Sequence, residues 1–238
     1  MGGRGSNSGM TTATATPTPA PTVQRPTMVA VPRNFVPLTQ QQVDAMAQAQ
    51  NSQYDINTRL AINQYIREDV QANGYTMSQN LNHALENGIP LNANEQYVYQ
   101  RLLSAMHDIG SDTTLVRAAH KDFLEALGVK NYQNMTDAQL NAAVTGAEYQ
   151  EKKFVSAAFD PKKNPFISGY ASGGREVYIN IKAPSDTKCV LGNAKQSEAI
   201  LSPGTKFRAT GAHFDGTYAT PRTGGRLPRV VIDVEIIP

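Results

Sequence analysis

Apolar residues recur at helical spacing through the first part of the chain, between Leu38 and Gly110. Two stripes have the period of a helix with one apolar face: Leu60, Ile62, Tyr65, Ile66 and Val70, and Val98, Leu102, Leu103 and Met106. Polar residues that favour helix N-termini precede four such stretches: Thr39, Asn57, Ser78 and Asn94. Thr39 and Gln42 have the spacing of a capping box, and Gly74 is a candidate end of the second helix. The pattern predicts four helices within residues 38–110.

The hydrophobic pattern changes after Gly110. Thr113–Arg117 is a β-branched run typical of a strand, a short helix is predicted over Asp122–Leu127, and Thr136 with Gln139 starts another helix. The remainder of the chain predicts six strands separated by turn residues: Lys153–Phe159, Glu176–Lys182, Lys188–Leu191, Glu198–Leu201, Lys206–Gly211 and Val230–Ile237. Because helices come first and strands follow, the order predicts an α+β domain and not a series of βαβ units.

Residues 1–37 differ in composition from the rest of the chain. They contain prolines at positions 17, 19, 21, 26, 32 and 37, many Thr and Ala residues, and few large apolar groups. Such a segment buries too little surface to offset its ordering entropy. We predict either a disordered tail or an extended arm that docks on a partner. Residues 38–238 are left for one folded domain, with a helical part at 38–110 and a strand-rich part at 111–238.

Composition narrows the function classes. The 238 residues include one Cys and no Trp, and the formal net charge is +2. A single Cys excludes an internal disulfide framework and a zinc ribbon. The pI of about 8.6 is below that of strongly basic nucleic-acid-binding domains. No apolar run reaches the ~20 residues of a membrane helix, and the N-terminus lacks the apolar core of a signal peptide. We therefore expect a protein of a reducing compartment, with no signal peptide and no membrane partner.

Three short segments carry residue types that fit one chemistry. Thr114–Arg117 places a charged residue on an apolar strand, Phe154–Pro161 is a second short strand, and Gln196–Phe207 opens with an amide and a carboxylate two positions apart. Residues i and i+2 of a strand face the same side, so Gln196 and Glu198 are predicted to share one face. Each segment by itself is compatible with an ordinary solvated strand. The phosphate-loop, dinucleotide and H-E-x-x-H motifs are absent and the histidines lack ligand spacing, so no metal is expected.

In this order, and with their surroundings, the segments resemble exoenzyme-type mono-ADP-ribosyltransferases, the Arg–Ser–Glu group of bacterial toxins and phage-associated enzymes. The resemblance begins at Ala61–Arg67, continues through Leu115–Arg117 and Phe154–Pro161, and is strongest over Val177–Phe207. It implies N-terminal helices packed on a split, mostly antiparallel β-sandwich that encloses an NAD cleft. It also implies that NAD is the substrate and that residues 111–238 bind it.

The resemblance implies roles for individual residues. Arg117 stands where the family has its NAD-binding arginine, and a planar, permanently charged guanidinium suits a pyrophosphate. Ala118 follows at a position that is commonly Gly, and its backbone would hold the nicotinamide amide. Ser156 matches the first Ser of the S-T-S motif, which orients the catalytic glutamate, and Glu198 matches that glutamate. Gln196 matches the first position of the Q/E-x-E motif, so Gln196 and Glu198 are the expected catalytic residues.

Two loops complete the implied site. Val190–Lys195 corresponds to the acceptor-recognition loop. Asp160–Gly174 corresponds to the loop that folds over the phosphates and the nicotinamide, with Phe166 and either Lys162 or Lys163 as contacts of the cofactor.

The chemistry of ADP-ribose transfer agrees with the roles that the resemblance implies. Breaking the nicotinamide–ribose bond leaves an oxocarbenium-like centre, which a carboxylate such as that of Glu198 stabilises. The amide of Gln196 has a donor edge and an acceptor edge and suits a neutral acceptor, whereas an arginine acceptor would favour a carboxylate there. The expected acceptor is an Asn or Gln side chain or a nucleobase, in a host protein or nucleic acid. Hydrolysis of NAD without an acceptor stays open.

A second interpretation also stays open. The S-T-S motif is Ser-Ala-Ala at residues 156–158, so two hydroxyls of the implied pocket are missing. The chain could instead be a phage-particle or structural protein with a degenerate, inactive fold, whose residues 1–37 dock on a phage capsid, a portal or an antitoxin. Four arginines would form a patch for a nucleic-acid acceptor unless they belong to a solvated loop: Arg208, Arg222, Arg226 and Arg229. The expected location is the cytoplasm of a bacterial cell, or a phage particle that delivers the protein.

Overall fold

The structure, a computed structural model, describes residues 33–164, 167, 174–192, 194–220 and 225–238. Six α-helices lie in this part of the chain: α1 Gln40–Gln53, α2 Ile56–Ile66, α3 Met77–Asn87, α4 Ala93–Ser104, α5 Asp122–Ala126 and α6 Asp137–Val144. Nine strands lie there too: β1 His107–Asp108, β2 Thr113–Ala119, β3 Glu148–Gln150, β4 Val155–Ala158, β5 Val177–Ala183, β6 Lys188–Leu191, β7 Glu198–Leu201, β8 Lys206–Ala219 and β9 Leu227–Ile237. The predicted α+β class is confirmed. Residues 33–238 form one compact unit, and the predictions for residues 1–32 lie outside the described residues.

Side-chain caps fix where the helices begin. Thr39 caps α1 as predicted: its hydroxyl accepts from the Gln42 N–H at 3.3 Å, while the Gln42 side chain accepts from the Thr39 N–H at 2.8 Å. The cap of α2 is Asp55, whose carboxylate accepts from the Thr58 N–H at 2.6 Å, and the prediction of Asn57 is wrong. The caps of α3 and α4 are likewise two residues earlier than predicted: Thr76 and Asn92 replace Ser78 and Asn94. In each pair the earlier polar residue makes the capping hydrogen bond, so the later one becomes helical.

The strands pair in the order β1-β6-β7-β4-β2-β5-β9-β8-β3. Neighbouring strands are antiparallel except β5 and β9, which run parallel. The bounds of β6 and β7 are as predicted, while β8 continues past the predicted Gly211 to Ala219, with irregular register along the way. The pattern missed β1 and β3 because two or three residues are too few to show alternation.

The sheet is nearly interrupted between β4 and β2. Their register consists of one pair, Val116 with Ala158, whereas β2 pairs with β5 along its whole length, Thr113–Ala119. We call the β4–β2 junction the seam. It divides the order into a four-stranded half (β1, β6, β7, β4) and a five-stranded half (β2, β5, β9, β8, β3). This is the split that the resemblance implied for a mostly antiparallel fold.

Helices α2–α4 pack on the four-stranded half through a cluster centred on Phe154. The Phe154 ring is almost fully buried and meets Tyr65 and Tyr99 edge-on, with centroids 5.4 and 5.9 Å apart. Burying a ring of this size contributes about 2–3 kcal/mol. A second, larger cluster lies on the other face of the sheet and includes Val155, Ala157 and Leu201. The four-stranded half is therefore covered on both faces. No helix in the described ranges is long and apolar enough to cross a membrane.

Candidate active site

A cleft with a volume of about 1050 Å³ opens across the seam. One wall comes from α2, α3 and the segment between them, residues 67–76, and the floor comes from β2, β4 and β7. α2 ends at Ile66, well before the predicted Gly74, so residues 67–76 are free to line the cleft. This volume is slightly above the range of about 300–1,000 Å³ that is usual for small-molecule sites.

The structure brings five of the sequence-predicted site residues to this cleft. Arg117 and Ala118 reach it from β2, Ser156 from β4, Glu198 from the first position of β7, and Gln196 from a one-turn 3-10 helix before β7. They come from three separate parts of the chain and from both sides of the seam. Phe166, the sixth, lies outside the described residues.

Glu198 is held by its backbone on β7 and lies close against Gly192. The Glu198 carbonyl accepts from the Gly192 N–H at 3.1 Å, and Glu198 pairs with Ala158 of β4. A Cβ atom at position 192 would lie 2.5 Å from Glu198 Oε2 and 3.0 Å from its Cδ. The missing side chain at Gly192 therefore makes the space in which the carboxylate stands.

Tyr65 interacts electrostatically with two charged residues of the cleft, Glu198 and Arg117. Burial raises the pKa of the Tyr65 hydroxyl well above its usual value, the hydrogen bond from Asn82 opposes this rise, and the charges of Glu198 and Arg117 act on it with opposite signs. Tyr65 is therefore a neutral phenol within reach of both the carboxylate and the guanidinium. Asn82 fixes it: the Asn82 amide donates to the Tyr65 hydroxyl at 3.0 Å and accepts from the Phe154 N–H at 3.1 Å.

Gln196 does not lie on a strand, so the predicted reason for its direction is wrong. It ends the 3-10 helix Ala194–Gln196, and the next residue, Ser197, has a left-handed backbone with φ 51°. A serine in this region costs about 1 kcal/mol and needs neighbours that hold it. Gln196 and Glu198 nevertheless line the same cleft, because the tight turn at Ser197 achieves what strand alternation was expected to achieve.

Arg175 is a further arginine of the cleft, besides Arg67 and Arg117, and the sequence reasoning missed it. Its Nη1 donates to the Ala118 carbonyl at 2.6 Å, and Arg229 donates to the Arg175 carbonyl at 3.2 Å. Burial lowers the pKa of Arg175, and the nearby positive charge of Arg117 lowers it further. Two guanidinium groups this close favour an anion between them. The only signal in the sequence was a basic residue directly after the pair Gly173-Gly174.

The Ala118 carbonyl accepts a hydrogen bond from a side chain of the cleft. The backbone was expected to hold a nicotinamide amide, and its carbonyl here accepts from Arg175. The Ala118 side chain packs in a small apolar cluster with Ala158 and Ile167 on the seam.

The two implied loops are placed only in part. Val190 and Leu191 are buried in β6, so the loop assigned to acceptor recognition begins at Gly192 rather than at Val190. In the described part of the other loop, Asn164 and Ile167 line the cleft, whereas Lys162 and Lys163 are exposed and do not.

The four C-terminal arginines do not form one free basic patch. Arg208 is engaged by Glu148 at 2.8 Å and Glu235 at 3.5 Å, and Arg229 is buried. Arg226 stacks on the Tyr218 ring at 4.2 Å, and Arg222 lies outside the described residues. Within the described ranges, no group of three or more His, Cys, Asp or Glu side chains could hold a metal ion.

Comparison with solved structures identifies the fold. Plx2a, an ADP-ribosyltransferase toxin from Paenibacillus larvae, superposes with a TM-score of 0.59 over 84% of this chain and 96% of that one, at 14% identity. The C3 exoenzyme of Clostridium limosum gives 0.57 over 86% and 98%, at 13% identity. C3stau2 from S. aureus, solved with NAD, gives 0.55 over 87% and 99%, at 17% identity. No family model and no curated protein matches the sequence. The chain has the fold of the exoenzyme-type ADP-ribosyltransferase toxins.

Proposed function

We propose that this chain is a mono-ADP-ribosyltransferase that transfers ADP-ribose from NAD to a neutral acceptor, an Asn or Gln side chain or a nucleobase. The observation that carries the proposal is the convergence of Arg117, Ser156, Gln196 and Glu198 in one cleft. The fold shared with ADP-ribosyltransferase toxins supports it, and a likeness at 13–17% identity does not by itself assign an activity.

In this proposal, residues of the five-stranded half of the sheet bind the phosphates. Arg117 on β2 and Arg175 just before β5 present two positive charges to the same part of the cleft. A pyrophosphate bound between them would relieve their mutual repulsion, and guanidinium groups bind phosphate oxygens in a bidentate manner. For this, Arg175 would exchange its bond to the Ala118 carbonyl for a phosphate oxygen.

Residues of the four-stranded half stabilise the ribose as its bond to nicotinamide breaks. As the bond between the ribose and the nicotinamide nitrogen breaks, its electron pair leaves with nicotinamide and positive charge develops on the ribose. The Glu198 carboxylate, which accepts well from a ribose hydroxyl, stabilises that charge. Ser156 on the adjacent strand β4 supports the same end of the pocket.

The acceptor then attacks the ribose from the side of Gln196. A carboxamide offers one N–H₂ donor group and one carbonyl acceptor, so it pairs with another carboxamide or with a base edge, and it does not stabilise a guanidinium as a carboxylate would. The new bond forms between the acceptor atom and the ribose carbon, and one proton is released.

Nicotinamide release and mass spectrometry of lysate proteins and RNA test the proposal. We expect added ADP-ribose on one class of acceptor with the wild-type chain and NAD. Glu198→Gln, which removes the charge and keeps the shape, should lower kcat by about 10²–10³-fold. Glu125→Gln on α5 removes an exposed carboxylate outside the cleft and serves as the matched control.

Transfer that survives Glu198→Gln would refute the assigned mechanism. Nicotinamide release without any modified acceptor would identify an NAD hydrolase. Absence of both turnover and NAD binding would favour a non-catalytic, particle-associated protein.

A further inference from the structure

Helix α1 is hydrogen-bonded to both ends of the short segment that carries Gln196. At one end, the Gln50 side-chain oxygen accepts from the Leu191 N–H at 3.0 Å, at the last residue of β6. At the other end, the Ser197 hydroxyl donates to the Gln40 side-chain oxygen at 2.9 Å. We call residues 192–197 the Gln196 segment. The two glutamines belong to one helix, so one rigid element fixes where the segment starts and where it ends.

Two hydrogen bonds hold Ser197, one through its side chain and one through its backbone. Its side chain is fully buried and bonded to Gln40, and its carbonyl accepts from the Phe159 N–H at 2.9 Å next to β4. Its left-handed backbone turns the chain so that the residues on either side of it both line the cleft. Without the bond to Gln40, the buried hydroxyl would lose its acceptor, and the strained turn would lose one of the contacts that hold it.

We propose that Gln40 and Gln50 are positioning residues for acceptor attack: they set the direction of Gln196 by holding the two ends of the Gln196 segment. This inference rests on the proposed function for its catalytic meaning. Neither glutamine lines the cleft, so each acts through the backbone that it holds. The arginines that would bind the phosphates belong to the other half of the sheet.

Loss of the hydrogen bond between Ser197 and Gln40 should therefore impair transfer to the acceptor more than binding of NAD. The Gln196 segment should open more often, by about fivefold for a hydrogen bond of ordinary net strength. Transfer to the acceptor should fall by at most the same factor, which is reached when the open form predominates, while KM for NAD stays the same. Because water needs no positioning by Gln196, the ratio of hydrolysed to transferred ADP-ribose should rise.

Hydrogen exchange tests the structural part without any substrate. Gln40→Met keeps the length of the side chain and removes the acceptor, and Ser197→Ala removes the donor. Both should speed amide exchange over residues 191–198, with exchange in β5 and β9 unchanged. Gln48→Met makes the same change at an exposed position of α1 and should have no effect. Unchanged exchange in the Gln40 and Ser197 variants would overturn the inference, whether or not the wild type turns over NAD.

Kinetics test the catalytic part in the full-length chain. On a Gln196→Ala background, Gln40→Met should cause no further loss of transfer, because the residue through which it acts is gone. Equal losses on both backgrounds would show that Gln40 does not act through Gln196, and a rise in KM for NAD would show that α1 holds the NAD end instead. A wild type that never consumes NAD would refute the proposed function, and hydrogen exchange would still decide whether α1 holds the segment.

Discussion

Gly192 offers a way to move the Glu198 carboxylate without touching Glu198. An alanine Cβ at this position would lie 2.5 Å from Glu198 Oε2, 3.0 Å from its Cδ and 3.0 Å from Ile200 Cδ1. The Gly192 backbone lies outside the left-handed region, so alanine brings no backbone strain of its own. Gly192→Ala is therefore a steric displacement aimed at one catalytic atom.

The size of the effect follows from these distances. Ordinary van der Waals contact begins at 3.4 Å, so Oε2 has to retreat by about 0.9 Å, and a 1 Å misplacement costs about 10²-fold in rate. We expect kcat for nicotinamide release to fall by about 10²-fold. Both groups in the way are the ends of side chains, so the loss of stability should stay near 1 kcal/mol.

Nicotinamide release at saturating NAD, together with a thermal unfolding curve, measures both quantities. Gly211→Ala is the matched control: its Cβ would lie 3.2 Å from Asn141 Oδ1, on β8 and away from the cleft. We expect this variant to lose a little stability and no kcat. A folded Gly192→Ala variant with unchanged kcat would refute the argument that the position of the Glu198 carboxylate limits the reaction.

Three further outcomes are expected. Arg117→Lys, which replaces a planar fork by a point charge, should raise KM for NAD about tenfold with kcat little changed in steady-state assays. Ala157→Thr should cost about 1–3 kcal/mol in urea unfolding without raising activity, because this position packs in the core and not in the cleft. Burial raises the pKa of Cys189 to about 12, so thiol reagents at pH 8 should label it only after unfolding. The folded-state pKa of the Cys189 thiol lies above the usual 9.0. The contribution of the thiol to stability is therefore present below pH 9 and is lost between pH 9 and 12. Over this range the Tm of Cys189→Ala should fall less than the Tm of the wild type.

The local pattern of apolar and polar residues was enough to predict the strands that carry the site residues. β6 and β7 begin and end where alternation and turn residues placed them. Ser156 and Glu198 line the same cleft because β4 and β7 are neighbours, and Arg117 lines it from β2 on the other side of β4. The order of the strands was not predicted, because a single sequence does not show which strands pair; the resemblance implied only a split, mostly antiparallel fold.

The long-range contacts that hold the site residues in place could not be predicted from the sequence. The bond between Gln40 and Ser197 joins residues 157 positions apart, and nothing in either neighbourhood marks a partner. Arg175 reaches the cleft because β5 pairs with β2, which brings the Arg175 guanidinium next to Ala118. Helix caps were misplaced by two residues wherever two polar residues competed for one position. The partners of residues 1–37, the domain division and the location of the protein stay predictions.

Because of the seam, the affinity for a ligand depends on how rigidly the two halves of the sheet are held relative to each other. Arg117 and Arg175 stand on one side of it and Ser156, Gln196 and Glu198 on the other, with one registered backbone pair between the two halves. A molecule bound to both groups joins the two halves at a junction where their strands share one registered backbone pair. Part of its binding free energy is then used to fix the angle between the halves. Substitutions at Val116 or Ala158 can thus change affinity for a dinucleotide through the stiffness of the sheet, without touching the ligand.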